Sequence, residues 1–127
     1  MKLGIVGTGM IVNDLLSFIH DIESIELIHI SGTKRSEEKV RELKEKHHFQ
    51  RCSVSYDELL NDIEVDTVYV ALPNHLHYSY TKLALEAHKN VILEKPMTST
   101  IEEAKELKKL AIQNHLFLWE AITNQYL

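Results

Sequence analysis

Three short stretches of this chain carry residue types that a hydrophobic core cannot use. Gly7-Thr8-Gly9 follows one buried-looking strand, Val70-Ala71-Leu72-Pro73-Asn74-His75-Leu76-His77 closes a second, and Glu94-Lys95-Pro96 closes a third. A glycine pair lets backbone N–H groups crowd around a phosphate, and a positioned lysine can share or stabilise a proton. In an open parallel sheet such loops meet along the carboxyl edge of the strands, where these folds bind their ligands. The chemistry implied is a lysine working beside a bound dinucleotide.

The elements that must hold these loops alternate almost without a break. Lys2–Val6 reads as a strand and Met10–His20 as a helix with Ile11, Leu15, Leu16 and Ile19 on one face. Ile25–Ile30 is a second strand, Ser36–His47 a charged helix with a narrow stripe of Val40 and Leu43, and Ser53–Val54 a short third strand. Ser55-Tyr56-Asp57-Glu58 matches a capping box and opens a brief helix through Leu60. Asp66–Leu72, rich in β-branched and aromatic residues, fits a strand buried on both faces. His75–Lys89 is predicted helical, with Leu76, Tyr80, Leu83, Ala84 and Ala87 at core spacing, and Val91–Leu93 is the fifth strand. Ser99-Thr100-Ile101-Glu102 is another capping box, opening a helix to about Asn114, and His115–Trp119 is the sixth strand. The expected fold is α/β, a doubly wound parallel sheet of the Rossmann dinucleotide-binding type.

Gly7 permits the tight turn after the first strand, and Gly9 lets the backbone approach a pyrophosphate at the helix N-terminus. The third position of the G-x-G-x-x-G pattern is Val12, which widens the helix–strand contact without removing the phosphate cradle. An acid that would bind the 2′-hydroxyl of NAD is expected about 20 residues further on. Here the second strand ends in His29-Ile30-Ser31-Gly32-Thr33-Lys34-Arg35, with no carboxylate. Ser31 and Thr33 can donate hydrogen bonds, and Lys34 or Arg35 can pair with a 2′-phosphate. NADP is therefore favoured, with NAD the other possibility. Lys34 and Arg35 as a merely solvated helix start is the plainer alternative, but basic residues there oppose the helix dipole.

Gly7-Thr8-Gly9-Met10-Ile11, the loop from Val70 to His77, Ala84-Leu85-Glu86-Ala87-His88-Lys89-Asn90-Val91 and Glu94-Lys95-Pro96-Met97 together resemble the N-terminal half of the Gfo/Idh/MocA oxidoreductases. The resemblance runs over nearly the whole chain, and Trp119-Glu120-Ala121 is similar to the dihydrodiol dehydrogenase subgroup. It implies that Lys95 is the catalytic residue, hydrogen-bonding the substrate hydroxyl or carbonyl, with Glu94 and Pro96 orienting it. It also implies that Leu72, Pro73 and Asn74, with His77 behind them, lie along the cofactor. The family's other catalytic residues come from a second domain with no counterpart here. Residues 1–120 are then the nucleotide-binding domain and 121–127 the start of a linker, and the isolated piece is expected to be inactive.

The remaining features bound the reading. The 127 residues and net charge of −5 describe an ordinary globular domain without a basic field, so no nucleic-acid partner is expected. Apolar runs are too short for a membrane partner, and the single cysteine, Cys52, fits a reducing cytoplasm. His75, His77 and the pair His47-His48 lack companions at metal-ligand spacing, so no metal is expected. His29 and Tyr69 read as core residues, and no tyrosine stands in a Tyr-x-x-x-Lys arrangement. The expectation is an NAD(P)-dependent oxidoreductase acting on the secondary alcohol or carbonyl of a sugar, polyol or dihydrodiol. The full-length protein is expected to be a homo-oligomer. A non-catalytic NADP-binding redox sensor is the competing class, and a flavodoxin-like module would leave Glu94-Lys95-Pro96 unexplained.

Overall fold

The computed structural model describes residues 1–19, 22, 24–94 and 100–121, without the side chains of Met10, Ile11, Phe18 and Ala121. The expectations placed on His20, on Lys95, Pro96, Met97 and Ser99, and on the stretch from residue 122 lie outside the described residues. In chain order the elements are β1 Lys2–Val6, α1 Met10–Ile19, β2 Glu26–Ser31, α2 Glu37–His47, β3 Arg51–Ser53 and α3 Tyr56–Leu60. β4 Thr67–Val70, α4 His77–Glu86, β5 Asn90–Glu94, α5 Ile101–Gln113 and β6 Leu118–Ala121 complete them. Single 3₁₀ turns at Lys34–Ser36 and Asn74–Leu76 lead into α2 and α4. All five strand pairings are parallel, in the order β3-β2-β1-β4-β5-β6. The winding direction therefore reverses at the β1–β4 seam, and the expected doubly wound fold is the one observed.

A core lies on each face of the sheet. Val6, Val68, Val70, Val91 and Leu93 meet Ala84, Leu85 and Leu107 of α4 and α5. On the other face, Leu3, Ile5 and Ile30 meet Val12 and Leu16 of α1 and Val40 and Leu43 of α2. Two-sided burial explains why the strands read as continuous apolar runs instead of alternating ones.

Several boundaries differ from the expectation for local reasons. β4 ends at Val70, short of Leu72, because the Leu72 carbonyl accepts a hydrogen bond from His77 Nε2 at 2.7 Å instead of joining a ladder. α4 buries His77, Thr81, Ala84 and Leu85, while Leu83 is 46% exposed. That stripe is helical too, but turned so that Leu85 takes the core position. β6 starts later than expected because His115 (φ 57°) is left-handed and the Leu116 amide still bonds to the Ala111 carbonyl, closing α5. The cap of α5 sits one residue on from the expected box: Thr100 Oγ1 accepts from the Glu103 amide at 3.1 Å. Ser55 stands at the N-cap of α3 but makes no side-chain capping bond.

Candidate functional site

The site begins at the seam. Gly7 has φ +125°, and a Cβ there would lie 2.2 Å from the Ala71 carbonyl oxygen, so a side chain is excluded by both torsion and neighbour. Gly9 is the opposite case, because a Cβ there would meet nothing within 4 Å. Open space thus lies over the start of α1, whose first turn holds no acidic residue to oppose an anion. Gly32, just past β2, brings the next loop in. A Cβ there would come within 2.6 Å of Ser36 Oγ and 3.1 Å of Thr8 Cγ2. Backbone bonds hold this arrangement, with the Gly7 amide donating to Ser31 O at 2.9 Å and the Gly32 amide to Ser53 O at 3.1 Å.

These loops enclose a cleft of about 440 Å³ at the carboxyl edge of the sheet. Gly7, Thr8, Thr33, Lys34, Arg35 and Leu72 line it, as expected from the sequence. Thr33, Lys34 and Arg35 are exposed there, and Ser36 Oγ accepts from the Thr33 amide at 3.0 Å to fix the turn. Gly9, Pro73 and Asn74 are exposed but not part of its lining. Met10 and Ile11 supply the first backbone turn of α1. Ser31 is fully buried, its hydroxyl accepting from Ser53 Oγ at 3.3 Å, so it faces the sheet interior. His77 is likewise buried; a carbonyl only accepts, so Nε2 carries the proton and shapes the β4 loop from behind. Glu94 is buried and accepts a hydrogen bond from the Tyr69 hydroxyl. Burial, followed by that carboxylate, pushes the Tyr69 phenol well above its ordinary value, so it remains a donor.

Gly32, Ser36, Val54, Tyr56 and Tyr80 also line the cleft and were not anticipated as site residues. A glycine directly after the second strand was the available signal for Gly32. The two tyrosines come from different connections, and in the sequence Tyr56 reads as part of a capping box and Tyr80 as a core position of the helix.

A polar chain, buried at His29 and Asp62 and exposed towards Arg51 and Glu64, ties β2 and β3 to the connection before β4. His29 Nδ1 donates to Asp62 Oδ2 at 3.0 Å, and its Nε2 lies 2.8 Å from Ser53 Oγ, which makes it a satisfied core histidine. Arg51 binds both Asp62 oxygens at 2.7 and 3.1 Å and reaches Glu64 at 2.6 Å. Burial alone would raise the Asp62 carboxyl, but hydrogen bonds from Arg51 and His29 hold it well below the usual carboxylate range. Lys89 donates to the Asp62 and Val65 carbonyls at 2.9 and 2.7 Å, tying the β3–β4 connection to β5. Burial pushes its amine below the ordinary value.

A second cavity, of about 360 Å³, lies away from these loops and is lined mainly by apolar residues including Leu3, Leu15, Ile19, Tyr69, Ile92 and Trp119. It contains none of the expected site residues. Among the described residues no three His, Cys, Asp or Glu side chains gather as a metal site, and no helix is long and apolar enough to cross a membrane.

An open cradle over α1, a basic turn after β2 and an apolar wall from the β4 loop fit the phosphates and base of a dinucleotide. The family model for the GFO_IDH_MocA oxidoreductases, described by their NAD-binding Rossmann fold, matches residues 1–122. The chain belongs to this family. Its relatives within the oxidoreductase family include D-xylose 1-dehydrogenase (NADP(+)) of Hypocrea jecorina, 35% identical, with the match covering 99% of this chain and 35% of the relative. Trans-1,2-dihydrobenzene-1,2-diol dehydrogenase of Mus musculus is 30% identical over 99% of this chain and 38% of its own. A 3-ketoreductase from Actinomadura kijaniata, solved with NADP and TDP-benzene, superposes with a TM-score of 0.86 at 30% identity, covering 94% of this chain and 36% of that one. This family member thus spans little more than a third of the length of the curated relatives it matches.

Proposed function

We propose that this chain is the nucleotide-binding part of an NADP-preferring oxidoreductase acting on a secondary alcohol or carbonyl of a sugar, cyclic polyol or dihydrodiol. The observation that carries the reading is the gathering of Gly7-Thr8, Thr33-Lys34-Arg35 and Leu72 around one cleft at the β1–β4 reversal. The NADP-linked xylose dehydrogenase and the dihydrodiol dehydrogenases among its relatives support the substrate class. Residues 1–120 act as the nucleotide-binding unit, and residues 121–127 lead towards a substrate-holding domain of a longer, homo-oligomeric protein. Its single cysteine supports a reducing, cytoplasmic setting.

When bound, the nicotinamide supplies hydride transfer, and the protein supplies position and charge. The amides around Gly7, Thr8 and Gly9 hold the pyrophosphate, with Met10 and Ile11 opening the helix behind it. Lys34 and Arg35 pair with the 2′-phosphate, for which the β2 loop offers no competing carboxylate. Lys95 follows directly on the anchored Glu94 and holds or shares the proton at the substrate hydroxyl oxygen.

Steady-state kinetics of the full-length protein test the enzymatic claim. Lys95→Ala lowers kcat about a hundredfold or more while leaving NADP binding intact. Equal NADP-dependent turnover in both proteins would end the assignment. For the cofactor, Arg35→Ala weakens NADP by about tenfold and NAD little, reflecting one charge-assisted contact. Tighter binding of NAD than NADP by the parent would overturn the preference.

A further inference from the structure

Tyr69 is a core residue by position, but the core makes no use of its hydroxyl. The residue lies in the middle of the sheet, between its register partners Ile5 on β1 and Ile92 on β5, and is only 5% exposed. Glu94 stands two residues beyond Ile92 on the same strand, so the pleat puts it on the same face as Tyr69. The phenol reaches along that face and donates to the Glu94 carboxylate, which is itself 6% exposed. Burial, followed by that carboxylate, keeps the phenol protonated, so the bond runs in one direction, from Tyr69 to Glu94.

Packing alone explains this pair poorly. A buried carboxylate costs stability unless cations or several donors hold it. Asp62, the comparable case, is held by Arg51 and His29. Among the described residues no lysine, arginine or histidine forms an ion pair with Glu94. Two apolar side chains at these positions would fill the space at lower cost. The two carboxylates also differ in address. Asp62 lies before the start of β4, whereas Glu94 ends β5 at the carboxyl edge of the sheet, and the next residue in the chain is Lys95. A costly polar pair at the ligand-binding edge, one peptide link from a reactive amine, points to the reaction and not to the core.

We propose that Tyr69 is a positioning residue for the reaction, its hydroxyl pinning Glu94 so that the end of β5 delivers Lys95 in one fixed direction. The inference rests on the reading above that Lys95 is catalytic, and it adds what holds the strand end from which that lysine follows. Tyr69 touches neither cofactor nor substrate in this role. It acts through one hydrogen bond to Glu94 and the peptide link from Glu94 to Lys95.

The test combines steady-state kinetics and unfolding of the full-length protein, with NADP and whichever sugar, cyclic polyol or dihydrodiol the parent oxidises. Tyr69→Phe removes one oxygen and keeps the ring. It should lower kcat about tenfold, the effect of one hydrogen bond to a charged group, while KM for NADP and for the alcohol stay within about twofold. In a Lys95→Ala background the same substitution should change the residual kcat by less than about twofold, because no lysine remains to be positioned. A hydroxyl that mattered only for stability would lower both backgrounds alike. Tyr69→Phe combined with Glu94→Leu leaves neither polar group unpaired, so it should recover the unfolding midpoint lost in Tyr69→Phe and still keep the low kcat. Unchanged kcat in Tyr69→Phe, equal losses with and without Lys95, or recovery of kcat in the doubly apolar protein would overturn the positioning role and leave the dinucleotide and Lys95 readings standing. A parent with no NADP-dependent turnover of any of these alcohols would overturn the enzymatic reading as well.

Discussion

One row of side chains crosses five of the six strands, and its two ends live in different environments. Ile30, Ile5, Tyr69, Ile92 and Trp119 are register partners from β2 to β6 on the face that carries α1 and α2. Ile30 and Ile5 are 0% exposed and Tyr69 5%, but Ile92 is only partly buried and Trp119 is 64% exposed. On the opposite face Val6, Val70 and Leu93, also register partners, are all buried beneath the α4–α5 side. β2 and β1 are buried on both faces where the glycine and basic loops leave them, whereas Arg51 and Cys52 of β3 at the sheet edge are only partly buried. Towards β5 and β6 burial falls off among the described residues, and β5 ends at Glu94, which precedes Lys95 in the sequence. A parallel sheet needs cover on both faces, so the burial gradient marks where the described part of this fold is least self-sufficient.

Substitutions along this seam and row sharpen the contrast. The largest effect belongs to Gly7→Ala, which forces a Cβ against the Ala71 carbonyl at a positive φ. It should cost about 4 kcal/mol in denaturant unfolding and remove measurable NADP binding. Ile5→Ala, at the closed end of the row, should cost about 3 kcal/mol by the same unfolding measurement. Trp119→Ser, in the open end of the same row, should cost less than about 1 kcal/mol. Similar losses at Ile5 and Trp119 would break the comparison.

Between those extremes lies Asp62→Asn, which tests the polar chain tying β2 and β3 to the connection before β4 and should cost about 2 kcal/mol at neutral pH. The parent carboxyl titrates below its unfolded value of about 3.9, so its contribution is complete above about pH 5 and drains away as pH falls further. Unfolding midpoints measured from pH 7 to 3 should therefore fall more steeply in the parent than in the variant. Parallel curves would show that Asp62 is not the group responsible.

The parts of this structure that local chemistry dictates were legible in the sequence. Apolar β-branched runs, the glycine pair after β1 and the basic turn after β2 mark the strands, the tight turn into α1 and the cleft's cationic rim. What escaped depends on tertiary neighbours. Leu83 and Leu85 both fit a helical stripe, and only the packing of α4 on β4 and β5 decides that Leu85 is inside. Ser31 sits in the right loop for a ribose, but it is a register partner of Val6, so the pleat turns its hydroxyl into the sheet. Asp62 looks like a surface acid until Arg51 and His29 are brought to it from two other strands. Tyr56 and Tyr80 are separated by a whole strand, and nothing short of the fold sets their rings side by side.

The central claim is that three connections form one dinucleotide cleft at the β1–β4 reversal, and amide NMR of the full chain titrated with NADP tests it most directly. The account predicts that the largest shifts fall at Gly7, Thr8, Gly9, Gly32 and Thr33, followed by Leu72 and Tyr80. Shifts concentrated around Leu15, Ile92 and Trp119, with those loops unmoved, would contradict it.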